Sequence, residues 1–348
     1  MASQIPASRC SSQPAAQSGS TMANEIQIRY KLSAPTYKIL CGIQKAPERR
    51  HVLETACQAF EFRSFPIKQA EGNLFREINS HTAIPYPING SVTQPWHKVF
   101  LLVQTDLMRT GWPNKISASG RKELRQESPL IYKLLDKTIR CLVDIMGERQ
   151  DGRGVIVALD VLRSVKAQVW EGNAMELLQV EGIGQVKMQR LVDGGVRTIK
   201  QLAEMEFYHI ERLLSRNPPF GHEILSQLSG FPALTMRVEV VDKYAPQSGA
   251  QGLDAVGKSA VHQLWVVRVI LGYENESLPS WCRRSPWTTF AIEGEDGRLV
   301  WFWRGSAKRL DGGKEMVIGL DAKKGENLKA VFACEEIVGT IIRHTFCV

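Results

Sequence analysis

Residues 177–202 read Leu177-Leu178-Gln179-Val180-Glu181-Gly182-Ile183-Gly184-Gln185-Val186-Lys187-Met188-Gln189-Arg190-Leu191-Val192-Asp193-Gly194-Gly195-Val196-Arg197-Thr198-Ile199-Lys200-Gln201-Leu202. The order is that of a helix–hairpin–helix: an apolar helix end, a tight Gly-Ile-Gly turn, a second amphipathic helix and a further Gly-marked turn. Val180, Ile183, Met188, Leu191, Val196, Ile199 and Leu202 recur at the spacing that buries one face. Gly182 and Gly184 carry no Cβ, so the backbone bends sharply and can approach a partner closely. Amides at the start of the second helix then point outward, where the helix dipole favours an anion such as a nucleic-acid phosphate. Lys187 and Arg190 on that helix add charge. The plainer reading of the same turn is a packing element with no ligand.

Composition bounds the rest. A chain of 348 residues buries a large core and has room for two or three domains. Hydrophobic residues make up 43% and charged residues 23%, as in an ordinary globular protein, and no apolar run approaches the length of a membrane span. The formal charge of +8 suits a polyanionic partner. The 7 cysteines are scattered without a C-x-x-C, which points to free thiols in a reducing compartment, and the dispersed histidines argue against a metal. The Ser-, Ala- and Gln-rich start lacks an apolar signal core, so residues 1–27 are expected to be a disordered leader.

The expected architecture is α+β and multidomain. A helical bundle is expected over 28–172, a helix–hairpin–helix region over 173–232 and an antiparallel β-sandwich of immunoglobulin or fibronectin type over 235–348. In the bundle, Leu53, Ala56, Cys57 and Phe60 mark one helix face after the Pro47-Glu48-Arg49-Arg50 turn, and Val99–Gln104 starts a buried segment after Pro95. The polar, Gly- and Pro-bearing residues 112–122 suit a loop. Ile131, Leu134, Leu135, Ile139, Leu142, Val143 and Met146 then form a long amphipathic helix, and 154–170 another. From about residue 235 the period shortens to two. Met236–Val240, Leu264–Leu271, Thr288–Ile292, Leu299–Trp303, Met316–Leu320, Leu328–Cys334 and Thr340–Phe346 read as strands, with Glu293–Arg298 as a hairpin turn. Trp301 and Trp303 place two large rings on one side of their strand, where core packing is the favoured role.

Five further stretches carry a family signal: Ala59-Phe60-Glu61-Phe62-Arg63, Phe75-Arg76-Glu77-Ile78-Asn79, Ile84-Pro85-Tyr86-Pro87-Ile88, Lys98-Val99-Phe100-Leu101-Leu102-Val103-Gln104 and Leu214-Ser215-Arg216-Asn217-Pro218-Pro219-Phe220-Gly221. With the order bundle, hairpin, sandwich, they resemble the SEC homology domain, first described in the translocon protein Sec-sixty-three and found at the end of several superfamily-two helicases. Within that group the chain is most similar to the meiotic crossover ATP-dependent DNA helicases of the Mer-three type, over roughly residues 28 to 345. The resemblance implies a non-catalytic accessory module that grips single-stranded or branched DNA at Gly182, Ile183, Gly184 and Gln185, aided by Lys187 and Arg190. It implies a role in homologous recombination and a nuclear location. Two motor domains and a winged helix would precede such a module, so the chain reads as a fragment, a truncated gene model or a motorless relative, and ATP hydrolysis does not carry over.

Gly252-Leu253-Asp254-Ala255-Val256-Gly257-Lys258-Ser259 satisfies the phosphate-loop pattern G-x-x-x-x-G-K-[ST]. Its context argues for a chance match at Lys258, because a polar linker precedes it and a strand follows where a helix is required. Val155–Asp160 has the look of a Mg²⁺-binding strand, but its apolar spacing continues as a helix through Leu162 and Val165. No cofactor, no metal and no membrane partner is expected, and no nucleophile–base set stands out. His222 and the Glu293, Glu295, Asp296 cluster read as surface or turn residues, as does the Arg283-Arg284 pair. The alternative function is a protein-interaction scaffold of the translocon or spliceosomal-helicase type, acting through the sandwich.

Overall fold

The computed structural model describes residues 25–81, 84–112, 118–243 and 262–348. Residues 25–30 form a helix, α1, that buries Ile26, so the last three residues of the expected leader are helical. Helix α2 (Ala34–Cys41) opens with Pro35 in its first turn and is capped by the Ser33 hydroxyl, which accepts from the Thr36 amide. Helix α3 (Arg49–Cys57) buries Val52, Leu53, Ala56 and Cys57. Phe60 departs from the expected stripe. The helix stops at Cys57, Phe60 enters a 3-10 turn and lies 41% exposed beneath the Arg63 guanidinium, and Phe62 takes the core position instead. Helix α4 (Gly72–His81) packs on α5 (Pro95–Leu107), whose residues from His97 to Thr105 are all buried. Lys98 is among them. Its ammonium is held by Glu71 at 2.9 Å and Glu127 at 2.7 Å, as a charge removed from water must be.

Helix α6 runs over Ala118–Glu148. The loop expected through residue 122 is therefore shorter than the sequence suggested. Arg121-Lys122-Glu123 are good helix formers, and Leu124 anchors the turn by full burial. Pro129 is tolerated because it sits on the exposed face, where the orphaned carbonyl meets water. Helix α7 (Gly152–Ala167) starts at Asp151, whose carboxylate accepts from the amides of Gly154 and Ala46, both at 2.8 Å. It is a buried helix, so the Val155–Asp160 run is no strand.

The chain then forms a 3-10 segment (Asn173–Gln179), α8 (Gln185–Asp193), α9 (Ile199–Ala203), α10 (Phe207–Leu214) and α11 (Phe220–Ser229). The apolar element before the Gly-Ile-Gly turn is thus 3-10 rather than α. Leu177, Val180, Ile183, Leu191, Val196, Ile199 and Leu202 meet in one core with Ile210, Leu214, Ile224 and Leu228, while Met188 packs at its margin.

Seven antiparallel strands follow among the described residues: β1 (Leu234–Lys243), β2 (His262–Tyr273), β3 (Trp287–Glu293), β4 (Leu299–Ser306), β5 (Lys314–Lys323), β6 (Asn327–Cys334) and β7 (Ile341–Cys347). They form two sheets, ordered β1-β2-β5 and β4-β3-β6-β7. Val267, Val269, Leu271, Ile318 and Leu320 of the first meet Phe290, Ile292, Trp303, Leu328, Ala330 and Phe332 of the second. Trp303 is core and Trp301 packs beside it. The other side of the second sheet, with Ala291, Phe302 and Val331, rests on Ile156 of α7. The second sheet is covered on both faces, so β3 is buried without a break from Thr288 to Ile292, whereas β5, with one wet face, alternates.

Bundle and sheets are joined through buried charge. The fully buried Arg163 pairs with Asp160 and Glu171 and donates to the Cys334 carbonyl at 3.2 Å. Glu335 receives Arg140 at 2.9 Å and also Arg304. Asp144 receives Arg29 at 3.0 Å and the Tyr30 hydroxyl at 2.8 Å. Gln179 makes a two-way bond to the Val338 backbone, at 2.8 and 3.0 Å, which fastens the turn region to the β6–β7 connection.

Candidate nucleic-acid interface

The Gly182-Ile183-Gly184 turn is held from beneath and open above. Ile183 is buried in the surrounding core and its N–H donates to the Val180 carbonyl at 3.1 Å. It anchors the turn and presents neither side chain nor amide to solvent. Gly182 adopts φ +86°, the left-handed region that penalises any side chain, and a Cβ there would sit 3.3 Å from the Phe220 ring. Gly184 is exposed, caps α8 without a side chain, and has nothing within 4 Å of where a Cβ would stand. The backbone amides of Gly184, Gln185, Val186 and Lys187 have no protein acceptor among the described residues. These are the orphan donors of a first helical turn, carrying the positive end of its dipole.

The side chains around the turn are only partly free. The Lys187 ammonium donates to the Gly182 carbonyl and lies 4.3 Å over the Phe220 ring. Burial, and then the Arg216 charge, hold it below the usual lysine range. Arg190 is exposed and donates to the Leu214 carbonyl at 3.1 Å. Gln185 does not face solvent freely. Its Nε2 donates to the Met108 carbonyl at 2.9 Å and ties the turn to the end of α5.

That tie leads to a cavity of about 480 Å³ whose lining includes Arg109, Trp112, Arg125 and Tyr132. Asp106 organises its floor, accepting from the Trp112 indole at 2.8 Å and the Tyr132 hydroxyl at 3.3 Å. Burial pushes the Asp106 carboxyl up, against the opposing effect of these donors. Arg125 is exposed, with no carboxylate paired to it among the described residues. The sequence reading missed this cluster because it assigned 112–122 to a loop. The signal was present in the i, i+7 pair Arg125 and Tyr132, which lie on one side of a continuous helix.

The remaining motifs fall elsewhere. Gly252–Ser259, with Lys258, lies outside the described residues. Arg283-Arg284 sit in an exposed turn closed by mutual Trp281–Arg284 backbone bonds. His222 stacks on Phe207 at 4.0 Å, and Asp296 pairs with Arg298 at 2.9 Å. Among the described residues no group of three or more His, Cys, Asp or Glu is placed to hold a metal, and no helix is long and apolar enough to cross a membrane.

The family model of the Sec63 Brl domain matches residues 20–289. The chain is 26% identical over 228 residues to the ATP-dependent DNA helicase MER3 of Saccharomyces cerevisiae, covering 64% of the chain and 19% of that protein. It is 20% identical over 335 residues to the human protein named "Probable ATP-dependent DNA helicase HFM1", covering 94% of the chain and 22% of that protein. The human U5 small nuclear ribonucleoprotein 200 kDa helicase is 24% identical over 201 residues, which is 58% of the chain and 9% of that protein. The chain therefore spans about a fifth or less of the length of these relatives. It belongs to the Sec63 Brl domain family.

Proposed function

We propose that this Sec63 Brl domain is a non-catalytic accessory module of a nuclear DNA helicase, or derived from one, and that it grips single-stranded DNA across the Gly182–Lys187 turn. The observation that carries the reading is the row of unpartnered amides from Gly184 to Lys187 at the start of α8. In this reading the 3-10 segment, turn and α8 are a helix–hairpin–helix, and the two sheets, with their shared core and strand order, are a fibronectin-like sandwich. A phosphate received by the amides lies beside Lys187, and Gln185 sets the neighbouring stretch of strand toward Arg109 and Arg125. Trp112 offers a ring for a base there. Contacts of this kind reach the backbone and tolerate any sequence.

The test is binding of a labelled oligothymidylate over a range of salt. Affinity should fall with a log–log slope of about −0.7 per neutralised phosphate. Gly184→Val combined with Lys187→Glu should abolish the salt-sensitive component. Position 184 is a clean probe, since its φ of −102° and open surroundings accept a side chain. Unchanged affinity in that variant would refute the reading.

A second reading, a protein-interaction scaffold, is favoured by the wet face of the first sheet. Val241, Leu264 and Val317 are 60%, 44% and 67% exposed there. Recovery of a protein partner by the full chain in the absence of DNA, lost with Val317→Glu and kept with Lys187→Glu, would establish it.

A further inference from the structure

The loop between α10 and α11, residues 215–219, has no part in the grip so far described, yet its one cation, Arg216, converges with Lys187 of α8 on the same ring. Arg216 faces the Phe220 ring at 5.9 Å while Lys187 faces it at 4.3 Å. Both distances lie within the range of attraction between a cation and an aromatic face. Neither cation has a carboxylate partner among the described residues. Two like charges brought to one ring repel each other unless an anion lies between them, and Arg216 is one cause of the lowered proton affinity of Lys187.

The ring is held firmly. Gly221 donates to Glu211 at 2.9 Å, and a Cβ at Gly221 would stand 2.3 Å from the Phe207 carbonyl. The Arg216 amide is bonded to the Glu211 carbonyl at 2.9 Å. Glu211, itself buried, thus fixes both ends of the loop.

We infer that Lys187 and Arg216, brought together at the Phe220 ring, bind a second phosphodiester of the strand, one that the Gly184–Lys187 amides do not reach. This inference rests on the strand-gripping reading and gives the strand a direction across α8, from the Arg109–Arg125 cavity to the 215–219 loop. Arg216 touches the phosphate, and Phe220 is a positioning residue that keeps the two cations in register. Lys187 leaves the Gly182 carbonyl when the phosphate arrives.

The full chain and a labelled oligothymidylate test this. Arg216→Gln should weaken binding about tenfold and reduce the salt slope by about 0.7, the loss of one phosphate contact. Arg216→Lys should restore the slope. Phe220→Leu should weaken binding about threefold with the slope kept, since charge is retained and only its placement is lost. Arg212→Gln, an exposed cation on α10 that does not face the ring, should leave the slope unchanged. If wild type binds with a steep salt dependence and Arg216→Gln matches it, or matches Arg212→Gln, this inference fails while the grip at the turn stands. If wild type shows no salt-sensitive binding, the strand-gripping reading fails first. Arg216 is exposed, so the two Arg216 variants should melt with wild type.

Discussion

Two groups of cations in this molecule contrast, one at the junction of bundle and sheets and one around the Gly182–Gly184 turn. At the junction Arg163 is fully buried and Arg140 and Arg304 are half-buried, and all three are answered by Asp136, Asp144, Asp160, Glu171 and Glu335. Around the turn Lys187, Arg190, Arg216 and, across the Gln185 tie, Arg125 meet carbonyls, a ring or solvent, without a carboxylate among the described residues. Net charge alone would treat these groups as one basic surface. Pairing separates them: answered cations hold the two halves together, and unanswered ones are available to a polyanion.

The sharpest way to break the comparison is at the junction. Arg163→Ala takes the cation from the Glu171 carboxylate and leaves Asp160 to Arg49 alone at close range. It should cost about 3 kcal/mol, read as a fall in the denaturant midpoint, with the salt slope of DNA binding unchanged in the folded fraction. The same change at Arg125 should do the reverse, lowering the salt slope by about 0.7 with no change in melting temperature.

Glu176 sharpens the boundary between the two regions. Its carboxylate accepts the Ile199 amide at 2.7 Å, and burial pushes its pKa up to about 7 from the ordinary 4.5 of a glutamate. The folded chain therefore keeps this proton where the unfolded chain has released it. The stabilising contribution is complete below about pH 4.5 and is lost as pH rises through about 7, a difference of about 3 kcal/mol. Glu176→Gln, which keeps an acceptor for Ile199, should flatten the pH dependence of stability over this window and raise the melting temperature at pH 8. Smaller still is the pair of turn glycines. Gly182→Ala should cost about 1–2 kcal/mol through its positive φ, whereas Gly184→Ala should be nearly neutral in stability.

Periodicity made most of the architecture legible. The apolar positions from Val180 to Leu202 meet in one core, and the strand positions from Met236 to Phe346 fall in strands, because burial of one face leaves a regular trace. Phe60 misled because a short helix can end before its stripe does, and the next turn then selects Phe62. Residues 118–122 misled because a solvated helical turn and a polar loop share a composition. Within the site, glycine spacing located the turn, and Gly182 bends it with a left-handed backbone. The sequence did not show that Ile183 spends its amide inward, that Gln185 is committed to Met108, or that Arg216 arrives beside Lys187. The last two are tertiary facts, set by residues 77 and 29 positions apart in the chain, whereas the Ile183 amide is spent locally on Val180.

The most direct measurement is the set of backbone amide chemical shifts in the 180–190 segment as an oligothymidylate is added. The account predicts that the Gly184, Gln185, Val186 and Lys187 amides move in a titration that salt reverses, while the inward-bonded Ile183 amide moves far less. A strand that binds while those four amides stay still would contradict it.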